Sequence, residues 1–204
     1  EMDCMLAPAV RERLEQALAI GDTGYPELPT YQEAFADYAA WQWGWNTDPS
    51  DATLVTDVVT GMRDALVAVT EPGDAVVINP PIYPPFRGVC HDRRIVEVAM
   101  IDDRLDLEGL EEALRTEQPT AYLLCSPHNP TCAIHTREEL ERVAALAEKY
   151  NVTVISDEIH APLAGARHVP YLDVADDAVI VTSASKSFNL AALKSGLVIG
   201  PAAI

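Results

Sequence analysis

Basic residues are scarce in this chain. Against 32 Asp and Glu stand only 14 Lys and Arg, a formal net charge of −18 at pH 7. Such a surface repels phosphate backbones and anionic lipid heads, so neither nucleic acid nor a membrane is an expected partner. Long apolar runs are absent as well. Ala178–Val181 and Ala202–Ile204 fall far short of the ~20 residues that a membrane-spanning helix needs. Cysteine occurs only at 4, 90, 125 and 132, without a CxxC pair. A chain this long with so few cysteines is not expected to carry a disulfide framework; reduced thiols and a cytoplasmic location are expected instead. Cys125, His128 and Cys132 are interrupted by Pro127 and Pro130 and lack an obvious fourth ligand, so no metal site is expected. The phosphate-loop signatures GxGxxG and GxxxxGK[ST] are missing. Fixed-period repeats are missing too. The chain opens on Glu1 without a basic stretch leading into an apolar one, so no secretion signal is expected. The closing Leu197-Val198-Ile199-Gly200-Pro201 reads as a strand running out of the chain, the mark of a fragment.

What is present is an apolar fraction of 49% with 23% charged residues, enough for a packed core. The first 50 residues read as helical and aromatic. Pro8 suits a first helical turn, with Leu14 and Leu18 on one face and Gly21 as the stop. Tyr31, Phe35, Tyr38 and Trp41 at helical spacing predict a second helix over 30–43, an aromatic stripe read as packing. From about residue 53, β-rich runs alternate with amphipathic ones. Expected strands are 53–59, 75–78, 94–98, 121–124, 152–156, 178–182 and 197–199; expected helices are 62–69, 107–115 and 137–149. Thr136 followed by Glu139 has capping-box spacing at the start of the last helix, and Glu71-Pro72-Gly73-Asp74 is a turn. Continuously apolar strands alternating with helices predict an α/β fold: a mostly parallel, seven-strand-type sheet with helices on both faces. Ligands of such sheets sit at the carboxyl ends of the strands.

The residues that follow the strands carry the chemistry. Thr60-Gly61-Met62-Arg63 opens a helix whose free N–H groups favour an anion. Asn79-Pro80-Pro81-Ile82-Tyr83 is a stiff loop able to present Tyr83 as an aromatic face, or simply to pack it. Ser126-Pro127-His128-Asn129-Pro130-Thr131 follows the next strand, and there Asn129 reads either as a donor to a ligand or as a turn residue. Asp157, Glu158 and His160 follow another, where a buried carboxylate needs a cationic partner. Ser183-Ala184-Ser185-Lys186-Ser187-Phe188-Asn189 follows a fifth strand, with Lys194 just beyond. Lys186 reads as a solvated cation or as an amine poised for a Schiff base. Jointly, an anion cradle, an aromatic face, an Asn, an Asp and a Lys are the set that pyridoxal phosphate requires.

Ser-Pro-His-Asn-Pro-Thr (126–131), Ser-Asp-Glu-Ile-His (156–160), Ser-Ala-Ser-Lys-Ser-Phe-Asn-Leu (183–190) and Gly-Asp-Thr-Gly-Tyr-Pro (21–26) resemble fold-type I pyridoxal-phosphate enzymes of the class I/II aminotransferase superfamily. The likeness is to the branch of cystathionine β-lyases and cysteine-S-conjugate β-lyases related to MalY and PatB. The resemblance implies pyridoxal 5'-phosphate as cofactor, carried by Lys186 as a Schiff base, with Asp157 paired to the pyridine nitrogen. It implies Asn129 and His160 at the ring's 3-oxygen and Tyr83 stacked on the ring. The phosphate would be held by Gly61, Met62, Ser183, Ser185 and Lys194, and by Tyr25 of a neighbouring subunit, since the family's sites form at a homodimer interface. Residues 1–50 would be a helical arm and interface segment, and 51–204 a cofactor-binding large domain whose C-terminal small domain lies outside the chain. The implied reaction is α,β-elimination of cystathionine or a cysteine S-conjugate to pyruvate, ammonia and a thiol. The alternatives are an aminotransferase and a truncated, inactive remnant acting only in binding or dimerisation. Cys132 and Ala192 stand where that family usually has Gly, and the segment after Ala161-Pro162-Leu163 is short by the same comparison.

Overall fold

A computed structural model describes residues 5–25 and 28–201. Glu1, Cys4, Pro26 of the 21–26 motif and the run Ala202–Ile204 lie outside the described residues. Helix α1 (Pro8–Ala19) opens with Pro at its first turn, and helix α2 (Thr30–Trp43) is stopped by Gly44 in the left-handed region at φ +70°. Strand β1 (Ala52–Val55) leads into α3 (Val58–Val69), and β2 (Ala75–Ile78) into the short α4 (Pro85–Val89). Then come β3 (Arg94–Glu97), α5 (Leu107–Glu117), β4 (Ala121–Cys125) and α6 (Arg137–Tyr150). The chain continues with β5 (Thr153–Asp157), α7 (Ala161–Ala164), β6 (Ala178–Thr182) and β7 (Gly196–Ile199). Among the described residues no helix is long and apolar enough to cross a membrane.

One expected boundary is wrong by half an element. The β-branched run 53–59 reads as one strand, but the strand ends at Val55. Asp57 stops it by capping α3: its side chain accepts the Thr60 N–H at 2.8 Å. That converts Val58 and Val59 into the first helical turn. The capping box at Thr136 and Glu139 forms as expected, each side chain accepting the other's backbone N–H.

The seven strands make one sheet in the order β1-β7-β6-β5-β4-β2-β3. The run β3-β2-β4-β5-β6 is parallel. Strand β7 runs antiparallel between β6 and β1. Side chains alternate across the sheet. Val77, Tyr122, Leu124, Val154 and Ile180 pack under α5 and α6, in a cluster that also takes Ala39 of α2 and Trp45. Val76, Ile78, Leu123, Ile155, Val179 and Val181 pack under α3 and α4. Both faces are therefore covered, which is why these strands are continuously apolar. Helix α1 contributes no buried residue to either cluster.

This topology decides where the functional residues gather. The carboxyl ends of β1, β2, β4, β5 and β6 lie on one edge of the sheet. Because β7 is reversed, its amino end lies on that same edge, and with it Lys194 and Ser195.

Candidate active site

That edge carries an open cleft of about 1140 Å³ lined from five strand ends and from the segment before β7. Asp57 to Thr60 come from the β1–α3 junction, Tyr83 from the loop after β2, Asn129 from the loop after β4, and Asp157 and His160 from the end of β5. Ser183, Ser185 and Lys186 follow β6, and Lys194 precedes β7.

Asp157 is the last residue of β5 and is only 5% exposed. Its Oδ1 accepts the Ile159 N–H at 3.1 Å. Burial pushes its carboxyl up to about 7, an effect reinforced by Glu158 and opposed by the Ile159 N–H and the Lys186 ammonium. A carboxylate sunk in a cleft this way lacks the close cation that would restore its ordinary acidity. Burial, and next the Lys186 ammonium, push His160 down, so its ring favours the neutral form.

Backbone and aromatic contacts hold the loops in register. The Tyr83 N–H donates to Asn129 O at 3.1 Å, joining the loop that carries the aromatic face to the loop that carries the amide. Behind them, Tyr122 Oη donates to Asn79 Oδ1 at 2.5 Å, and Asn79 Nδ2 donates to Val98 O at 3.0 Å. His128 has both ring nitrogens engaged, with Thr131 Oγ1 at 3.0 Å and Asn79 O at 3.2 Å, so it serves the loop's scaffold. Helix α2 braces the lysine loop: Tyr31 Oη accepts the Ala184 N–H at 2.9 Å, and Tyr38 packs edge-on against Phe188 at 6.3 Å. The aromatic stripe is thus packing in the main, although Trp41 at its end is 77% exposed.

A second buried network lies beneath β5. Glu158 accepts from Ser156 Oγ at 3.0 Å and from the Tyr171 N–H at 2.9 Å, and pairs with His168 Nε2 at 2.8 Å. His168 in turn packs edge-on against Trp43 of α2. This network pins the short turns over 165–173 to the end of β5.

The structure brings together Tyr83, Asn129, Asp157, His160, Ser183, Ser185, Lys186 and Lys194. It does not bring Gly61 and Met62 into the cleft. The Gly61 N–H donates to Asp57 O at 2.9 Å within the helix. A Cβ on Gly61 would lie 2.9 Å from side-chain methyls of Val181 and Val198, so this glycine allows α3 to sit on the sheet. Met62 is fully buried in the same layer. The helix-start residues that line the cleft are instead Val58, Val59 and Thr60, immediately before Gly61. Tyr25 is 97% exposed and does not line the cleft of its own chain. Ser183 Oγ is committed elsewhere, donating to Ser195 O at 2.6 Å and accepting the Ser185 N–H at 3.0 Å. Asp57 and Tyr31 went unread as site residues. The Asp57-x-x-Thr60 spacing is a helix-start signal that the strand reading of 53–59 covered over.

An α/β sheet with a lysine, a buried aspartate and a helix N-terminus converging at the strand carboxyl ends defines a cofactor-binding enzyme scaffold. Residues 2–204 match the family model for aminotransferase class I and II, and the chain belongs to that family. A Mycobacterium leprae protein provisionally named a cystathionine beta-lyase is 46% identical over 98% of this chain and 53% of its own length. Cystathionine beta-lyase PatB of Bacillus subtilis is 34% identical over 98% of this chain and 55% of its own length. The crystal structure of cystalysin from Treponema denticola, which contains a pyridoxal 5'-phosphate cofactor, superposes with a TM-score of 0.91 at 27% identity, covering 98% of this chain and 54% of that one. The chain spans about half the length of the curated relatives it matches.

Proposed function

We propose that the chain is the cofactor-bearing part of a pyridoxal-phosphate-dependent C–S β-lyase. Its substrates would be cystathionine and cysteine S-conjugates, and its products pyruvate, ammonia and a thiol. The observation that carries this reading is the buried Asp157, held near pH 7 by desolvation at the floor of a cleft that Lys186 also lines. A pyridinium nitrogen is the cation that such a carboxylate lacks. The remaining donors fit the same group: an aromatic face at Tyr83, an amide at Asn129, and an anion cradle of Val58–Thr60 N–H groups with Lys194 opposite.

When bound, pyridoxal phosphate supplies an aldehyde for the amine and an electron-withdrawing ring. The protein's residues do the rest. Asp157 would keep a positive charge at the ring nitrogen. Asn129 and His160 would donate toward the 3-oxygen. Lys186 would hold the cofactor and, once freed, its Nζ would take the substrate's Cα proton as general base. The Cβ–S bond would then break with its electron pair leaving on sulfur, which would become the thiol by taking the proton that Lys186 had accepted. Water completes the hydrolysis to pyruvate and ammonia.

The test uses the full chain with pyridoxal phosphate added. A visible absorbance band should appear, borohydride should abolish it, and peptide mass should place the reduced adduct on Lys186. Cystathionine should then yield pyruvate without any added keto acid, and Lys186→Ala should remove both signals. Adduct formation without pyruvate, but with amino transfer to a keto acid, would give the second reading, an aminotransferase. The family name and the shared Lys, Asp and Asn set support that alternative.

This reading keeps residues 1–50 as an arm and interface segment and 51–204 as the cofactor-binding domain. It includes a homodimer, in which Tyr25 reaches the neighbouring subunit's phosphate, and a cytoplasmic location.

A further inference from the structure

The proposed cradle for the cofactor's phosphate already holds an anion of the protein's own. Asp57 sits at the start of α3, and its two carboxylate oxygens divide the cradle between them. Oδ1 accepts the Thr60 N–H at 2.8 Å, and Oδ2 lies 3.3 Å from Lys194 Nζ. Those are a helix-start N–H and a cation from two different elements, the donor types that a phosphate at this place would use. Lys194 reaches in from the segment before β7, with its own backbone in the left-handed region at φ +50°. The Thr60 N–H and Lys194 hold the Asp57 carboxyl below its usual value, so it is ionised. Ser183 Oγ offers no relief, being occupied by Ser195 O and the Ser185 N–H.

We propose that Asp57 is a built-in competitor for the phosphate cradle and so sets how tightly this protein holds its cofactor. The proposal rests on the cofactor assignment above. A phosphate dianion entering the cradle meets the same N–H and the same ammonium already engaged by a carboxylate. It must either turn the Asp57 side chain out or share one cation among three negative charges. The alternative is that Asp57 merely caps α3. The two are separable, because Asn and Ser cap as well as Asp but carry no charge.

The experiment compares the full chain with its Asp57→Asn and Asp57→Ser variants against three probes: pyridoxal phosphate, pyridoxal without the phosphate, and inorganic phosphate. Dissociation constants come from absorbance and fluorescence titration. In both variants pyridoxal phosphate and inorganic phosphate should bind about tenfold tighter or more, with pyridoxal unchanged, because only the phosphate meets the charge. Unchanged or weaker binding of both phosphate-bearing probes in the two variants would overturn the proposal and leave Asp57 a cap. Borohydride trapping at Lys186 in the unmodified protein reads the cofactor assignment separately. If no adduct forms there, that assignment fails, and the inorganic-phosphate titrations still decide the role of Asp57.

Discussion

Cys132 occupies a backbone position at φ +60°, where a side chain crowds its own carbonyl. It is exposed, and its thiol makes only a long polar contact, Sγ to Pro130 O at 3.7 Å. Cys132→Gly should therefore raise stability by up to about 1 kcal/mol, part of the gain being offset by the freer unfolded chain. Urea denaturation of the two proteins measures it. Asp157 makes the sharper case. With its carboxyl raised to about 7, the folded state binds more protons than the unfolded state between about pH 4 and 7. Stability from this residue is full below about pH 4 and is lost as pH rises through about 7, on the order of a few kcal/mol in cofactor-free protein. His135 acts in the opposite sense over the same window. Burial pushes it down to about 4, so its part is lost as pH falls. The difference between unmodified protein and Asp157→Asn isolates the aspartate: the variant should gain on the parent from about pH 4 to about pH 7 and hold that lead above it. Parallel stability profiles would show that Asp157 titrates as an ordinary carboxyl.

At the scale of elements, α3 is where sequence and structure part. Its residues 58 and 59 are valines, the type that fills strands, and the apolar run gives no sign of the turn inside it. One hydrogen bond from the Asp57 side chain settles the matter, and it starts α3 at Val58, four residues before the expected 62. Where punctuation was unambiguous the elements were legible: helix α2 occupies 30–43, and strands β2 and β6 occupy 75–78 and 178–182, as the periodicity predicts. The short helices α4 and α7 were not legible, since four or five residues carry no period. Nor was the reversed β7, because an apolar run looks the same in either direction; its reversal is what delivers Lys194 to the site. Gly61 supplies the test of how α3 is seated. In Gly61→Ala the new Cβ meets Val181 and Val198 methyls at 2.9 Å and a Val55 methyl at 3.1 Å, all on the sheet beneath α3. Overpacking of this kind costs about 1–3 kcal/mol. The midpoint of unfolding should fall accordingly, and cofactor affinity should fall with it, because α3 carries the cradle. For comparison, Thr136→Ala removes one half of a capping box far from the cleft. It should cost about 1 kcal/mol and leave cofactor affinity untouched.

At the scale of the whole molecule, charge and apolar surface pull against each other. The chain carries a net −18, which keeps copies apart at low salt. Helix α1 is itself neutral, with two arginines and two glutamates that cancel. None of its residues is fully buried, while Leu18, Ile20, Tyr25 and Leu28 in and after it are all at least 70% exposed. A helix of 12 residues has little stability alone in water, even with its Arg11–Glu15 pair. The helix therefore needs a surface to pack on, and a neutral, exposed apolar segment of an acidic chain is one that a second copy can approach with little local repulsion. Association should accordingly be concentration-dependent and strengthened by salt, with helicity by circular dichroism rising as dimer forms in sedimentation. Leu18→Glu with Ile20→Glu should return the chain to monomer and lower its helicity by about the length of α1, while leaving the unfolding midpoint of the sheet in place. A salt-independent monomer, with α1 fully helical and resistant to protease, would mean that the segment finds its partner within the same chain.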